Sequence, residues 1–190
     1  MKSKNIIKTT MLAIAVLAFA SCQPNKNQED SSEIAKEHND AVIDDKNMEK
    51  DADFIVNAVA ANLAEINLAQ LALAKSTNTD IKEIAGMLEA DHTKVLSSLK
   101  GYATSKGIST PTIETPEATE DRNSLAEKSG KDFDKKWCEK LQDNHNNSIR
   151  SFESRLDKTD DVALKDLISR TLPDLKNHLQ MLKDHEGETK

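Results

Sequence analysis

From residue 51 to about residue 185, apolar side chains return every three or four positions in four long stretches, with one long interruption. That spacing is the period of a helix with one buried face; a half-buried strand would alternate every second residue. An all-α fold is therefore expected. Composition agrees: aromatics make up 3% of the chain, and there are only 5 Gly and 4 Pro among 190 residues, too few turn-formers for an all-β chain.

The first helix is expected from Asp51 or Asp53, either of which can cap it, to about residue 75. Its stripe is Phe54, Ala58, Ala61, Leu68 and Ala72. Ser76-Thr77-Asn78-Thr79 is a short polar turn, so the second helix, 80–106, should return antiparallel along Ile81, Ala85, Leu88, Val95, Leu99 and Tyr102. The third helix, 131–158, carries Cys138, Leu141, Ile149, Phe152 and Leu156. Asp160-Asp161 should cap the fourth, which runs to about residue 185 through Leu164, Ile168, Thr171, Leu175 and Leu182. Pro173 lies inside it and should kink it. Pro111 and Pro116 exclude helix from the first part of the 107–130 interruption, and a short helix at 117–128 fits the rest. At about 3.3 Å per extended residue this segment can run the length of the helices. That is the layout of a ferritin-like four-helix bundle with a long crossover between helices two and three.

Each stripe has one ionisable interruption: Glu65, His92, His145 and His178. Counted from the two turns at 1.5 Å per residue, Glu65 and His92 are nearly level, whereas His145 and His178 differ by roughly 6 Å. One carboxylate and three neutral imidazoles suit zinc, copper or iron. Glu89, Asp91, Asp143 and Asp174 lie within a turn of the histidines and are the candidate acceptors for their second ring nitrogens. The alternative is a structural polar network in which Glu65 hydrogen-bonds the histidines. The chain would then be an interaction protein with an exposed apolar patch on the crossover or at the helix ends. Cys138 lies about 10 Å along the helix from His145 and is expected as a buried small hydrophobe. No Ser-His-Asp context, phosphate loop or Cys-x-x-Cys occurs, so the residues name no reaction.

The N-terminal segment has a different character. Lys2, Lys4 and Lys8 precede an apolar run from Met11 to Ala20, which matches a secretory signal peptide and is too short for a membrane span. Phe19-Ala20-Ser21-Cys22 resembles a lipobox, with Cys22 the lipidated residue and Gln23 an outer-membrane address. The expected partition is a signal peptide over 1–21, a lipidated, flexible polar tether over 22–50 with room for a frayed helix near Ile34 to Ile43, and the helical domain over 51–186. The chain would be an outer-membrane lipoprotein facing the periplasm or the cell surface. Its membrane partner is engaged through the lipid anchor, and nothing identifies a protein partner. Acylation of one of the two cysteines excludes a disulfide framework. Removing the three lysines of the first 21 residues takes the net charge from −7 to −10, which disfavours nucleic acid as a partner.

Asp53-Phe54 opening the first helix, Glu65, the run from Met87 to Asp91-His92, Phe133-Asp134, Asn144-His145, and Leu172-Pro173 followed by His178 resemble the DUF4142 family over 51–183. The resemblance implies a ferritin-like four-helix fold of bacterial envelopes and no settled activity. Set against the di-iron pattern of ferritin-like proteins, Glu65 and Glu89-Ala-Asp-His92 fit. His145 stands where a Glu is expected, and Leu175 takes the carboxylate position three residues before His178. At most half of a di-iron site survives, which makes a single-metal site the expectation.

Overall fold

Local capping chemistry sets where each helix begins. The computed structural model describes residues 29–188, and the helices in chain order are α1 (Ser31–Val42), α2 (Lys46–Lys75), α3 (Thr79–Lys106), α4 (Pro116–Ala126), α5 (Gly130–Lys158) and α6 (Val162–Glu188). Asp45 Oδ1 accepts from the N–H groups of Asn47 and Met48 at 2.9 and 2.8 Å, which starts α2 one and a half turns before Asp51. Asn78 caps α3 through the Asp80 N–H. Gly107 ends it at φ 68°, a left-handed conformation that glycine adopts without a Cβ penalty. Thr115 caps α4 with Pro116 as its first residue, and Asp161 caps α6 through the Leu164 N–H at 2.9 Å. Pro173 lies within α6, which continues through it.

From residue 29 to residue 50 the polar stretch differs from a flexible tether. Asp30 caps α1, and Asn39 fixes the helix to the segment after α3. Asn39 Nδ2 donates to the Ser109 carbonyl at 3.0 Å, and the Ser109 N–H donates to Asn39 Oδ1 at 2.8 Å. Ala35 and Ile43 are buried, and Ile43 joins the core. Few apolar residues are needed when a bidentate amide meets the backbone this well. The expected signal peptide, lipobox and Cys22 lie outside the described residues.

Pairings between helices fix their directions. Along α2 and α5, Leu68 pairs with Trp137, whose Nε1 donates to the Leu68 carbonyl at 2.8 Å. Towards the start of α2, Asp51 pairs with Arg155 at 2.6 Å and with Thr159 at 3.0 Å. Numbers rise on one helix as they fall on the other, so the two are antiparallel. The same holds for α3 and α6 through Asp91–His178 and Lys106–Asp161. Helices α2 and α6 therefore run one way, and α3 and α5 the other. Residues 107–129 must travel from one end of these helices to the other, with α4 resting on α2 and α5. Buried Glu114 holds that path by accepting from Arg122 Nε at 2.8 Å and from Thr119.

The apolar interior is divided in two. One cluster gathers Phe54, Ile55, Val59, Leu99, Phe152 and Ile168 near the start of α2; the other gathers Leu68, Leu88, Phe133, Trp137, Leu141 and Leu182 near its end. Helix α2 is long and apolar enough to cross a membrane, but 61% of its most apolar window is buried against the other helices. It serves here as a core helix.

Losing the Asn39 side chain should undock α1. Asn39→Ala removes two partly buried hydrogen bonds and is expected to cost about 2 kcal/mol of unfolding free energy, with faster proteolysis within residues 30–45. An unchanged denaturation midpoint and cleavage rate would show that α1 does not depend on this contact.

Candidate metal centre

Between the two apolar clusters lies a polar layer: Asn62 and Glu65 from α2, His92 from α3, His145 from α5 and His178 from α6. All five are buried, the three histidines at 2%, 0% and 2% exposure respectively. One nitrogen from each imidazole lies within 4.8 Å of the other two. His92 Nε2 and His178 Nδ1 each stand 3.4 Å from His145 Nε2. The counted offset of His145 and His178 does not keep them apart. Helical side chains lean towards their own N-terminus, and on antiparallel α5 and α6 those leanings close the gap from both sides.

Acceptors on the outer side of each ring decide what the inner nitrogens carry. Asn62 Nδ2 donates to the Ala58 carbonyl at 2.8 Å, which turns its Oδ1 towards His92 Nδ1 at 2.9 Å. His145 Nδ1 faces the Leu141 carbonyl at 2.9 Å, and His178 Nε2 faces Asp91 Oδ2 at 3.4 Å. All three outer partners are oxygen acceptors, so each outer nitrogen carries the ring N–H. In a neutral imidazole the other nitrogen then presents a lone pair. Three lone pairs converge with no proton between them, an arrangement that repels unless a cation sits among them.

Electrostatics oppose supplying that cation as a proton. Burial pushes His92 down to about 3, with the neighbouring His145 and His178 adding to the effect. Burial pushes His145 down to about 4 against its hydrogen bond to Leu141. It also lowers His178, which Asp91 partly offsets. Asp91 itself is held low, first by its hydrogen bond to Lys94, and remains an anion behind the His178 ring.

Glu65 takes a different place from the one expected. Its Oε1 approaches His145 Nδ1 at 3.7 Å, on the outer side of the ring, and not the nitrogen that faces the other imidazoles. Burial pushes its carboxyl up to about 8, opposed by the Asn144 side chain and more weakly by Lys140. At pH 7 a neutral acid therefore meets a neutral imidazole, and the short distance is not an ion pair. Of the acids expected to support the rings, Asp91 does so across helices. Glu89 accepts from Gln70 at 2.8 Å, while Asp143 and Asp174 are exposed. Asn62 and the Leu141 carbonyl fill the vacant roles. Asn62 was detectable in the sequence, since it follows Ala58 by four and precedes Glu65 by three on the same face. Cys138 is buried in the cluster with Trp137 and Leu141, as expected of a small apolar residue. His185, near the end of α6, is also buried.

A family model described as a domain of unknown function, DUF4142, matches residues 33–184. Neither a curated protein nor a solved structure matches the chain.

The layer gives stability a pH dependence with two limbs. The histidines have folded values below the ordinary 6.5, so the unfolded chain takes up protons that the folded one refuses. Their contribution is complete above about 6.5 and is lost as pH falls towards about 4. Glu65 is raised from 4.5 to about 8; its contribution is complete below 4.5 and is lost as pH rises through about 8. With a chelator present, the denaturation midpoint is expected to fall from pH 6.5 to 5 and, more gently, from pH 7 to 8. Glu65→Gln should flatten the alkaline limb and keep the acid one. A wild-type midpoint constant from pH 7 to 8 would contradict the buried neutral carboxyl.

Proposed function

Because the chain belongs to the DUF4142 family, whose description assigns no activity, we propose from its own geometry that it binds one transition-metal ion between His92 Nε2, His145 Nε2 and His178 Nδ1. The observation that carries this is the convergence of three buried imidazole nitrogens, each on a ring whose other nitrogen faces an oxygen acceptor. Nitrogens about 2.0–2.1 Å from one tetrahedral ion stand about 3.3–3.4 Å apart, the spacing of the two His145 pairs. An all-imidazole set suits zinc, copper or iron, and three protein ligands leave a fourth position for water or a small ligand. Asp91 behind His178 supplies the carboxylate–histidine arrangement that fixes the ring and raises its basicity.

On this reading the helices form a ferritin-like four-helix bundle. The two-by-two helix directions and the full-length crossover support it, with one metal in place of a di-iron pair. The chain is an envelope lipoprotein anchored through Cys22 and its role is to hold metal at the membrane surface. An interaction-protein role has less support. Among the described residues the large apolar side chains that stand exposed are Ile34 and Val42 on α1, Ile113 on the crossover and Val162 at the start of α6, positions on three separate segments.

Equilibrium dialysis against zinc, copper and iron should give one ion per chain. His145→Ala should weaken binding at least a hundredfold, and Asn62→Ala or Asp91→Ala about ten- to a hundredfold. Glu65→Gln should leave the stoichiometry at one. A stoichiometry that His92→Ala and His145→Ala do not change would sink the proposal. For the anchor, metabolic labelling with a fatty-acid analogue should mark the wild-type chain and not Cys22→Ser; equal labelling would exclude Cys22 as the acylated residue.

A further inference from the structure

Where the start of α2 meets the end of α5, the surface changes sign. The chain carries a net charge of −7, yet a cavity of about 510 Å³ there is lined by Lys50, Phe54, Ser151, Ser154, Arg155 and Lys158. That volume is within the range of small-molecule sites. Three of these residues are cations, two offer hydroxyls and none is a carboxylate. Of the acids beside them in sequence, Glu49 pairs with Lys46 and Glu153 with Lys176, while Asp157 is exposed and lies off the wall. Arg155 follows His145 by ten residues, about 15 Å along α5, so the cavity is a separate place from the imidazole layer.

Arg155 is the fixed member of the lining. It is 8% exposed, and its Nε stands 2.6 Å from Asp51 Oδ1, yet neither atom has an aligned hydrogen bond. Asp51 is engaged through its other oxygen by Thr159. The ion pair neutralises Arg155 but leaves its Nε–H unused, a costly state for a desolvated cation. A guanidinium presents five N–H donors in a planar fork, which matches two oxygens of one tetrahedral anion. Lys50 and Lys158 are exposed, and Lys158 donates to the Ser154 hydroxyl at 3.0 Å. With Asp51 set against Arg155, these two lysines give the lining a positive charge that a phosphate dianion balances. A cation would be repelled, and a neutral molecule would leave the lysines unanswered. We propose that this cavity binds a phosphate group, free or as a monoester, its oxygens accepting from Arg155, Lys50 and Lys158 and from the hydroxyl of Ser151 or Ser154.

The test uses the full chain, freed of metal by chelation and dialysis, with inorganic phosphate as probe at low salt. Binding is followed by calorimetry and by the NMR signal of the Arg155 Nε–H. One phosphate per chain is expected, and the arginine signal should shift as the site fills. Lys50→Gln and Lys158→Gln, both at exposed positions, should each weaken binding about threefold or more, and together at least tenfold. Lys82→Gln, equally exposed at the start of α3, should leave it unchanged. Vesicles of phosphatidylcholine, with and without phosphatidic acid, separate the two sources of the group. Sedimentation that needs phosphatidic acid and is lost in the double variant assigns a lipid headgroup; binding of free phosphate alone assigns a soluble one. Binding to neither source, equal affinity in the wild type and the double variant, or an equal loss in Lys82→Gln would overturn the assignment.

Discussion

Closing four amphipathic helices around an interior that contains three imidazoles requires every ring to leave water with its polar atoms accounted for. In this chain that requirement is met one-sidedly. Each outer nitrogen finds an acceptor held by its own surroundings: an amide oriented by the Ala58 carbonyl, the Leu141 carbonyl one turn away, and a carboxylate from a neighbouring helix. The inner nitrogens find only one another. A structural network would normally alternate donors and acceptors; here the donors all point outward, and the layer is left with a central surplus of lone-pair density.

The apolar clusters on either side make this arrangement rigid. Leu88, Leu141 and Leu182 crowd it from one end and Leu175 from the other, all nearly or fully buried. Such packing keeps the rings in their positions without relying on the hydrogen bonds alone. It also keeps water away, which is why the histidines fall and Glu65 rises from their ordinary values. Pre-organisation and pKa displacement thus have one cause, the desolvation of a thin polar stratum between two hydrophobic halves.

Much of this was legible in the sequence because it is local. Asn78, Gly107 and Asp161 mark helix ends by their own chemistry, and the three histidines lie on stripes whose period places them inward. What was not legible depends on direction or on distant partners. Helix α1 is held by Asn39 against Ser109, 70 residues away, and no composition argument contains that pairing. Glu65 was read at the right level, but level does not say which side of a neighbouring ring a carboxyl reaches. Glu89, Asp143 and Asp174 were chosen for nearness in sequence, whereas the partners that serve were selected by orientation. Asp91 reaches a ring on another helix, and a backbone carbonyl has no side-chain signature at all.

The long connection between α3 and α5 has a consequence for assembly. Helices α2 and α3 form one hairpin and α5 and α6 another, and the histidine layer takes one ring from the first and two from the second. No contact within the layer records whether the two hairpins came from the same chain. A 23-residue connector is long enough to let hairpins exchange between two molecules, giving a swapped dimer with every buried contact preserved. In the single chain the connector is seated by Glu114 with Arg122 within it and by Asp121 with Lys140 of α5.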